Sequence, residues 1–425
     1  MAQASARETG FWPIARVSSG NFLEMYDFMV FGYYAAAIAQ AFFPNRDPFA
    51  SLMLTLMTFG AGFLMRPLGA VVLGAYADRA GRRAGLLLTL GLMAAGTVSL
   101  ALTPGYAAIG LIAPLLVLAG RLLQGFSAGM ELGGVSVYLS EIAPPGRKGF
   151  YVSWQSASQQ VAVIAAASIG LALTSRLGAA QMNAWGWRIP LWIGCLIVPL
   201  LFLLRGSLKE TAAFSARKVH PPLSAVIAAL AGHWRIVGVG VMLTTMTTVS
   251  FYMITAYTPT FGAGVLHLSS VSAFVVTLCV GASNLVWLPL MGSLSDRIGR
   301  RPLLIACTVL MILTAYPALV WLVAAPSFSR LLLVELWLSF LYASYNGAMV
   351  VYLTEIVPAD LRASGFSLAY SLATAIFGGF TPAIAQALIH ETGNKAMPGV
   401  WLAAAAMMGL VATGLAGRLK AVREG

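Results

Sequence analysis

The chain has 425 residues, 59% of them hydrophobic and only 9% charged, with a mean hydropathy of +0.83 and a formal net charge of +12. Soluble domains carry roughly 25% charged residues, so these proportions exclude an ordinary soluble fold and place most of the chain in lipid. The basic residues sit in short segments between apolar runs, which marks membrane topology and argues against a nucleic-acid partner.

Taken in chain order, apolar runs of about 20 residues, enough to span a bilayer, recur throughout. Twelve transmembrane helices are predicted, at 17–41, 50–76, 84–103, 108–138, 148–176, 187–204, 236–261, 269–294, 302–324, 331–356, 361–389 and 397–417. The connections are short, which favours helices over a barrel. The first run carries Glu24 and Asp27 and has no small-residue cleavage site, so it is expected to remain in the mature protein. One long polar stretch, 205–235, with Lys209, Glu210, Arg217, Lys218 and Pro221-Pro222, divides the chain into an N-terminal six-helix bundle (1–204) and a C-terminal one (236–425). It reads as a cytoplasmic linker. Of the 26 Lys and Arg, 19 fall in the termini and in alternate connections on one face, 5 on the other and 2 within spans. By the positive-inside rule both termini are cytoplasmic.

The halves repeat each other. Gly74-Ala75-Tyr76-Ala77-Asp78-Arg79-Ala80-Gly81-Arg82-Arg83 returns 218 residues later as Gly292-Ser293-Leu294-Ser295-Asp296-Arg297-Ile298-Gly299-Arg300-Arg301. Tyr138-Leu139-Ser140-Glu141-Ile142-Ala143-Pro144 returns 214 residues later as Tyr352-Leu353-Thr354-Glu355-Ile356-Val357-Pro358. Duplicated halves with matching loops are how membrane carriers build a midplane site between two rocking units.

The repeated Gly-x-x-x-Asp-Arg-x-Gly-Arg-Arg resembles the cytoplasmic loop motif of the major facilitator superfamily. Asn21-Phe22-Leu23-Glu24-Met25-Tyr26-Asp27-Phe28, Met65-Arg66-Pro67-Leu68-Gly69 and Trp187-Arg188-Ile189-Pro190 resemble its metabolite:proton symporter branch. Gly120-Arg121-Leu122-Leu123-Gln124-Gly125-Phe126-Ser127-Ala128-Gly129, Trp154-Gln155-Ser156-Ala157-Ser158-Gln159-Gln160 and Tyr345-Asn346-Gly347-Ala348-Met349 are similar to bacterial citrate–proton symporters and the related tricarballylate carriers. The resemblance runs from about Val17 to Leu419. It implies an all-α membrane protein of two pseudo-symmetric bundles that takes up citrate or a related tricarboxylate with protons across the bacterial inner membrane, by alternating access. A dicarboxylate or oxoacid such as 2-oxoglutarate is the alternative substrate. The small-molecule carboxylate, protons and the lipid bilayer are the expected partners, and a monomer is expected.

An ionisable side chain in the bilayer core costs at least ~2.5–3.5 kcal/mol on insertion scales, so each one needs a reason. Six fall within the spans: Glu24, Asp27, Arg66, Arg121, Glu131 and Glu335. Arg121, near the middle of the fourth span, is the expected substrate ligand, because its planar fork matches a carboxylate bidentately. The bland reading is an ion pair with Glu24 or Asp27. Arg121, Gln124, Ala128 and Glu131 share a helical stripe of about 80°. Gly125-x-x-x-Gly129-x-x-x-Gly133 marks a close helix contact on another edge. Asn21, Glu24 and Asp27 recur every third residue, and two carboxylates so close in low dielectric repel, so one of Glu24 and Asp27 is expected to hold the transported proton. Glu131 is a second proton candidate, and Arg66 a structural partner for span one. Glu335 lies near its helix end, where snorkelling to water is expected.

Neutral hydrogen-bonding residues complete the expected substrate site: Asn21, Gln124, Gln155, Gln159, Tyr252, Tyr342, Tyr345 and Asn346, with Thr248, Thr255 and Asn284 nearby. The repeated loops are expected to gate. Asp78 can cap a neighbouring helix while Arg79, Arg82 and Arg83 reach acids such as Glu141. Asp296, Arg297, Arg300, Arg301 and Glu355 would do the same in the second half. Glu141 with Arg147, and Glu355 with Arg362, resemble superfamily positions that hold the cytoplasmic gate shut. Cys195, Cys279 and Cys307 lie in spans without ligand spacing and read as packing residues. His220, His233, His267 and His390 fall in loops or at helix ends. No nucleotide-binding, zinc or nucleophile signature is present, so neither an enzyme nor a cofactor is expected.

Overall fold

The computed structural model of the chain describes residues 21–80, 82–129, 131–206, 228, 231–358 and 362–424, and the described residues form helices without strands. The N-terminal arm, Gly81 and most of the 205–235 linker lie outside them. The first half contains α1 (Asn21–Tyr33), α2 (Ala35–Phe42), α3 (Pro48–Leu64), α4 (Arg66–Ala80), α5 (Arg82–Leu102), α6 (Ile112–Ala128), α7 (Glu131–Ile142), α8 (Lys148–Arg176) and α9 (Ile189–Gly206). The second contains α10 (Trp234–Tyr252), α11 (Ser270–Ile298), α12 (Arg300–Ala324), α13 (Phe328–Ile356), α14 (Arg362–Ala373), α15 (Thr381–Thr392) and α16 (Pro398–Glu424). Among the described residues 8 helical stretches are long and apolar enough to cross a membrane, and Leu87–Leu102, Ile112–Ala128 and Gly186–Leu200 are shorter apolar helices. The chain is a multi-pass membrane protein.

Several spans are broken where the sequence removes a hydrogen bond. Pro67 has no N–H for the helix above it, and α3 gives way to α4 through a turn at Met65. Pro259 acts likewise in the seventh span: α10 runs into a π-helical segment Met253–Tyr257, a short turn Thr258–Thr260 and a second π-helical segment Phe261–Val265. The first span is not continuous either, but turns at Tyr34 between α1 and α2. The repeated motifs, expected as loops, are mostly helical: Asp78 and Arg79 end α4, and Asp296 and Arg297 end α11.

Glycines set the packing inside the first half. A Cβ on Gly125 would lie 1.6 Å from Gly62 O, and one on Gly129 would lie 2.1 Å from Arg66 O, so α6 runs backbone to backbone against α3 and α4. This is the close contact expected from the Gly125/Gly129 spacing. Between the halves α8 lies along α11, where a Cβ on Gly149 would meet Gly292 O at 2.2 Å and one on Gly170 would meet the Phe274 ring at 2.3 Å. Gly32 brings α1 against Ala256 in the first π-helical segment.

Candidate functional site

Five helices meet around a small cavity between the halves. From the first half come Met25 on α1, Arg66 at the start of α4 and Gln159 on α8; from the second come Thr248, Phe251 and Tyr252 on α10, Tyr370 on α14 and Thr374 just after it. The cavity is about 10 Å³, room for roughly one water. Ligand pockets usually run about 300–1,000 Å³, so the site is contracted. The halves also touch on either side of it: at Gly149 and Gly292 between α8 and α11, and at Gly32 against Ala256 and Phe49 stacked on His390 with ring centroids 3.7 Å apart.

Arg66 is 1% exposed and forms a buried ion pair with Glu24. Its guanidinium carbon lies 4.8 Å from the Phe63 ring centre and 5.1 Å from that of Phe28, so aromatic faces hold the cation in place. Arg66 Nε and Thr374 Oγ1 are buried on this cavity without a hydrogen-bond partner among the described residues. Such groups are costly unless something polar joins them.

Arg121 stands elsewhere. It is fully buried, with its guanidinium carbon 4.3, 4.6 and 5.3 Å from the rings of Phe28, Phe31 and Phe59, and it does not line the cavity. Its Nη1 donates to Gln124 Oε1 at 2.7 Å, and Gln124 Nε2 donates to Asp27 Oδ2 at 3.2 Å. Thr97 also donates to Asp27. The stripe Arg121–Gln124 therefore faces α5 and α1 within its own half. Arg121 and Gln124, expected beside a substrate, do not line this cavity: Gln124 bridges cation and carboxylate, and Arg121 Nε and Nη2 are buried without a hydrogen-bond partner among the described residues. Glu24 and Asp27 do not share a site either, since one pairs with Arg66 and the other with Thr97 and Gln124.

Among the other expected ligands, Gln159 and Tyr252 line the cavity, as does Thr248, while Gln155, Tyr342, Tyr345 and Asn346 are buried but off it. Gln155 accepts from Ser156, Asn346 donates to Tyr342, and Tyr345 donates to Leu243 O at 2.9 Å, while Gln155 Nε2 and Asn346 Oδ1 are buried without a hydrogen-bond partner among the described residues. Asn284 donates to Gln160 Oε1 at 3.2 Å and accepts from Ser339 at 2.8 Å, linking the halves beside the cavity. Tyr370, Thr374 and Thr97 were not singled out by sequence, because isolated hydroxyls carry no spacing signal. The side chains of Asn21, Asp78, Arg79, Arg82, Arg83 and Glu131 lie outside the described residues.

Glu335 does not snorkel. It is 1% exposed on α13 and packs against the broken seventh span. At the opposite end of the cavity, Asp296 accepts from the backbone N–H of Gly149 at 2.8 Å and of Phe150 at 3.0 Å, capping α8 across the boundary between halves. Arg300 pairs with Asp296 at 2.7 Å and with Glu355 at 3.2 Å. Arg297, Arg301 and Glu141 are exposed.

An all-helical bundle of this size, with a polar cavity between repeated halves and a buried ion pair beside it, is the architecture of a secondary carrier. The family model described as "Sugar (and other) transporter" matches residues 14–225, and that of the Major Facilitator Superfamily matches 273–424. The chain belongs to the major facilitator superfamily. Within it, the chain is 59% identical over 412 residues to the citrate-proton symporter of Salmonella typhi, covering 97% of this chain and 95% of that protein. It is 35% identical over 386 residues to the alpha-ketoglutarate permease of Escherichia coli, covering 89% of this chain and 87% of that protein. The crystal structure of a D-xylose-proton symporter superposes with a TM-score of 0.75 at 19% identity, covering 95% of this chain and 96% of that one, and shares the fold.

Proposed function

We propose that the chain is a twelve-span carrier of the bacterial inner membrane, monomeric, with both termini cytoplasmic, importing citrate or a related tricarboxylate together with protons. The halves 1–204 and 236–425, joined by the 205–235 linker, rock about the cavity. The observation that carries the reading is the 59% identity to a citrate-proton symporter over nearly the whole of both chains. Arg66, on the cavity with a free Nε, supplies the chemistry a carboxylate needs.

The mechanism follows from competition for one guanidinium. While Glu24 is ionised it occupies Arg66, and a substrate carboxylate must displace it in a medium that penalises unpaired charge. A proton on Glu24 neutralises that rival and hands Arg66 to the substrate, so anion and proton bind together. Gln159, Thr248, Tyr252 and Thr374 offer amide and hydroxyl groups for the other oxygens. Asp27, tied through Gln124 to Arg121, is a second proton site whose protonation releases Thr97 and Gln124 inside the first half. Asp296 and Arg300 close the cytoplasmic end by holding α8 against α11.

Uptake by proteoliposomes under an imposed pH gradient, offered citrate, tricarballylate, isocitrate and 2-oxoglutarate in turn, tests this. Gradient-driven accumulation of citrate is expected. Accumulation of 2-oxoglutarate in preference to the tricarboxylates would replace the citrate reading with the oxoacid one, which the 35% identity to the alpha-ketoglutarate permease favours.

A further inference from the structure

The end of the interface beside Phe49 and His390 holds a second group of buried polar atoms. Tyr33 is the last residue of α1 and Tyr34 forms the turn before α2, and both side chains are more than nine-tenths buried. Neither hydroxyl has a hydrogen-bond partner among the described residues. Tyr33 is eight residues beyond the cavity residue Met25, about 12 Å along α1 at ~1.5 Å per residue, so the pair stands outside the site described above.

What packs on both phenol rings comes from the other half. The buried Phe274 ring, near the start of α11, has its centre 5.7 Å from that of Tyr33, edge to face, and 6.1 Å from that of Tyr34. Gly170 on α8 completes the seat, since a Cβ there would lie 2.3 Å from the Phe274 ring. One aromatic ring of the second half thus plugs a slot that belongs to the first.

A hydrocarbon ring gives those hydroxyls nothing to bond. Each phenol carries a proton to donate, and burying it without an acceptor is unfavourable. In a carrier that penalty lasts only while the halves touch here: when they part, Phe274 leaves with α11 and both O–H groups are uncovered together. The mouth they then meet is positive. Connections and helix ends on the face opposite the termini carry Arg46, Arg176, Arg188, Arg330 and Lys395 against Asp47 and Glu391, an excess that draws anions. Glu335, held by Thr258 within the second half, withdraws with it. An ionised carboxylate only accepts, through two oxygens, and so answers two O–H donors at once.

We propose that Tyr33, Tyr34 and Gly170 form an entry subsite for a carboxylate arm of the substrate, plugged by Phe274 while this end is closed and vacated when it opens. The arriving anion is caught about 12 Å short of the cavity. Phe274 and the carboxylate cannot share the slot, so this end closes only after the substrate has moved inward. The subsite deepens the carboxylate reading proposed above and rests on it.

The test holds one end open at a time. Ala256→Trp carries its bulk on the second half into the Gly32 contact and keeps this end apart; Gly292→Trp does so at the opposite end, where a Cβ would already lie 2.5 Å from Gly149 O. Equilibrium binding of radiolabelled citrate is measured in each background, with and without Tyr33→Phe and Tyr34→Phe, which keep the rings and remove the donors. With Ala256→Trp, each single change should weaken binding about threefold and the pair about tenfold. With Gly292→Trp, where Phe274 stays seated, the pair should leave Kd within about twofold of its background. In the otherwise unaltered protein without ligand, the pair should unfold at or above the parent's midpoint, because two unpaired hydroxyls leave the interior. If a tryptophan inserts poorly, Ala256→Leu and Gly292→Leu take its place. An unchanged Kd with this end open would overturn the subsite. So would an equal loss in both backgrounds, which puts the effect in the central cavity, or a lowered midpoint, which makes the hydroxyls structural. A parent that binds neither citrate, tricarballylate, isocitrate nor 2-oxoglutarate in either background refutes the carboxylate reading and the subsite with it, whereas a binding parent with insensitive variants refutes the subsite alone.

Discussion

Replacing Arg66 by lysine separates two roles that alanine would confound. Arg66→Ala strands Glu24 as a buried charge without its cation, a loss of about 3–5 kcal/mol that would unfold much of the protein before any binding could be read. Lysine keeps the charge for Glu24 and gives up only the planar fork. A charge-assisted hydrogen bond contributes about 1.5–3 kcal/mol, and a bidentate carboxylate makes two of them where lysine makes one. The expected cost is about 2 kcal/mol, or roughly 30-fold in Kd for citrate. The assay is equilibrium binding to purified protein, with thermal unfolding alongside to show that the pair with Glu24 survives. An unchanged Kd at unchanged stability would remove Arg66 from the substrate site. The same measurement on Arg121→Lys should leave Kd within about threefold of the parent, since Arg121 does not line the cavity, and a larger loss there would restore it as the ligand.

The remaining predictions concern protons, packing and the gate. In the parent, citrate affinity should weaken as pH rises, because ionised Glu24 competes for Arg66; Glu24→Gln should bind with a flat pH profile, and a preserved slope would exclude Glu24 as the competitor. Asp27→Asn should abolish accumulation driven by a pH gradient while citrate exchange continues in proteoliposomes; undiminished accumulation would move the second proton elsewhere. Gly125→Ala, whose Cβ would lie 1.6 Å from Gly62 O, should lower stability by at least the ~1–3 kcal/mol typical of overpacking, seen as a lower unfolding midpoint, and a neutral result would contradict the backbone contact. Asp296→Asn should weaken the cap on α8 by about 1 kcal/mol, raising roughly fivefold the cytoplasmic-side reactivity of a cysteine placed in the α8–α11 seam.

The sequence carried the organisation of the chain further than the details of its site. Hydropathy and the two repeats located the helices, and the glycine spacing located the α6 contact, because both depend on local periodicity. Periodicity also grouped Arg121 with Gln124, but a stripe on one helix does not say which neighbour it meets. Here it meets Asp27 and Thr97, and the cation on the cavity is Arg66, whose position is fixed by the Pro67 break between α3 and α4. Glu335 was misplaced for a similar reason. The helix begins at Phe328, capped by the Ser327 side chain, and that puts the carboxyl two turns inside. The function of Asp296 was anticipated as a cap, yet its target is the first turn of α8 in the other half, a long-range pairing that no spacing encodes.

Phe28 is within reach of both buried guanidinium groups, its ring centre 5.1 Å from Arg66 and 4.3 Å from Arg121. One benzene ring thus lends its electron-rich surface to both cations, and whatever it yields to one it withholds from the other. When an anion draws Arg66 away, Arg121 inherits an aromatic neighbour it no longer has to share. Uptake variants selected at either arginine should therefore carry second-site changes at Phe28, and neither centre can be retuned while the other stands still.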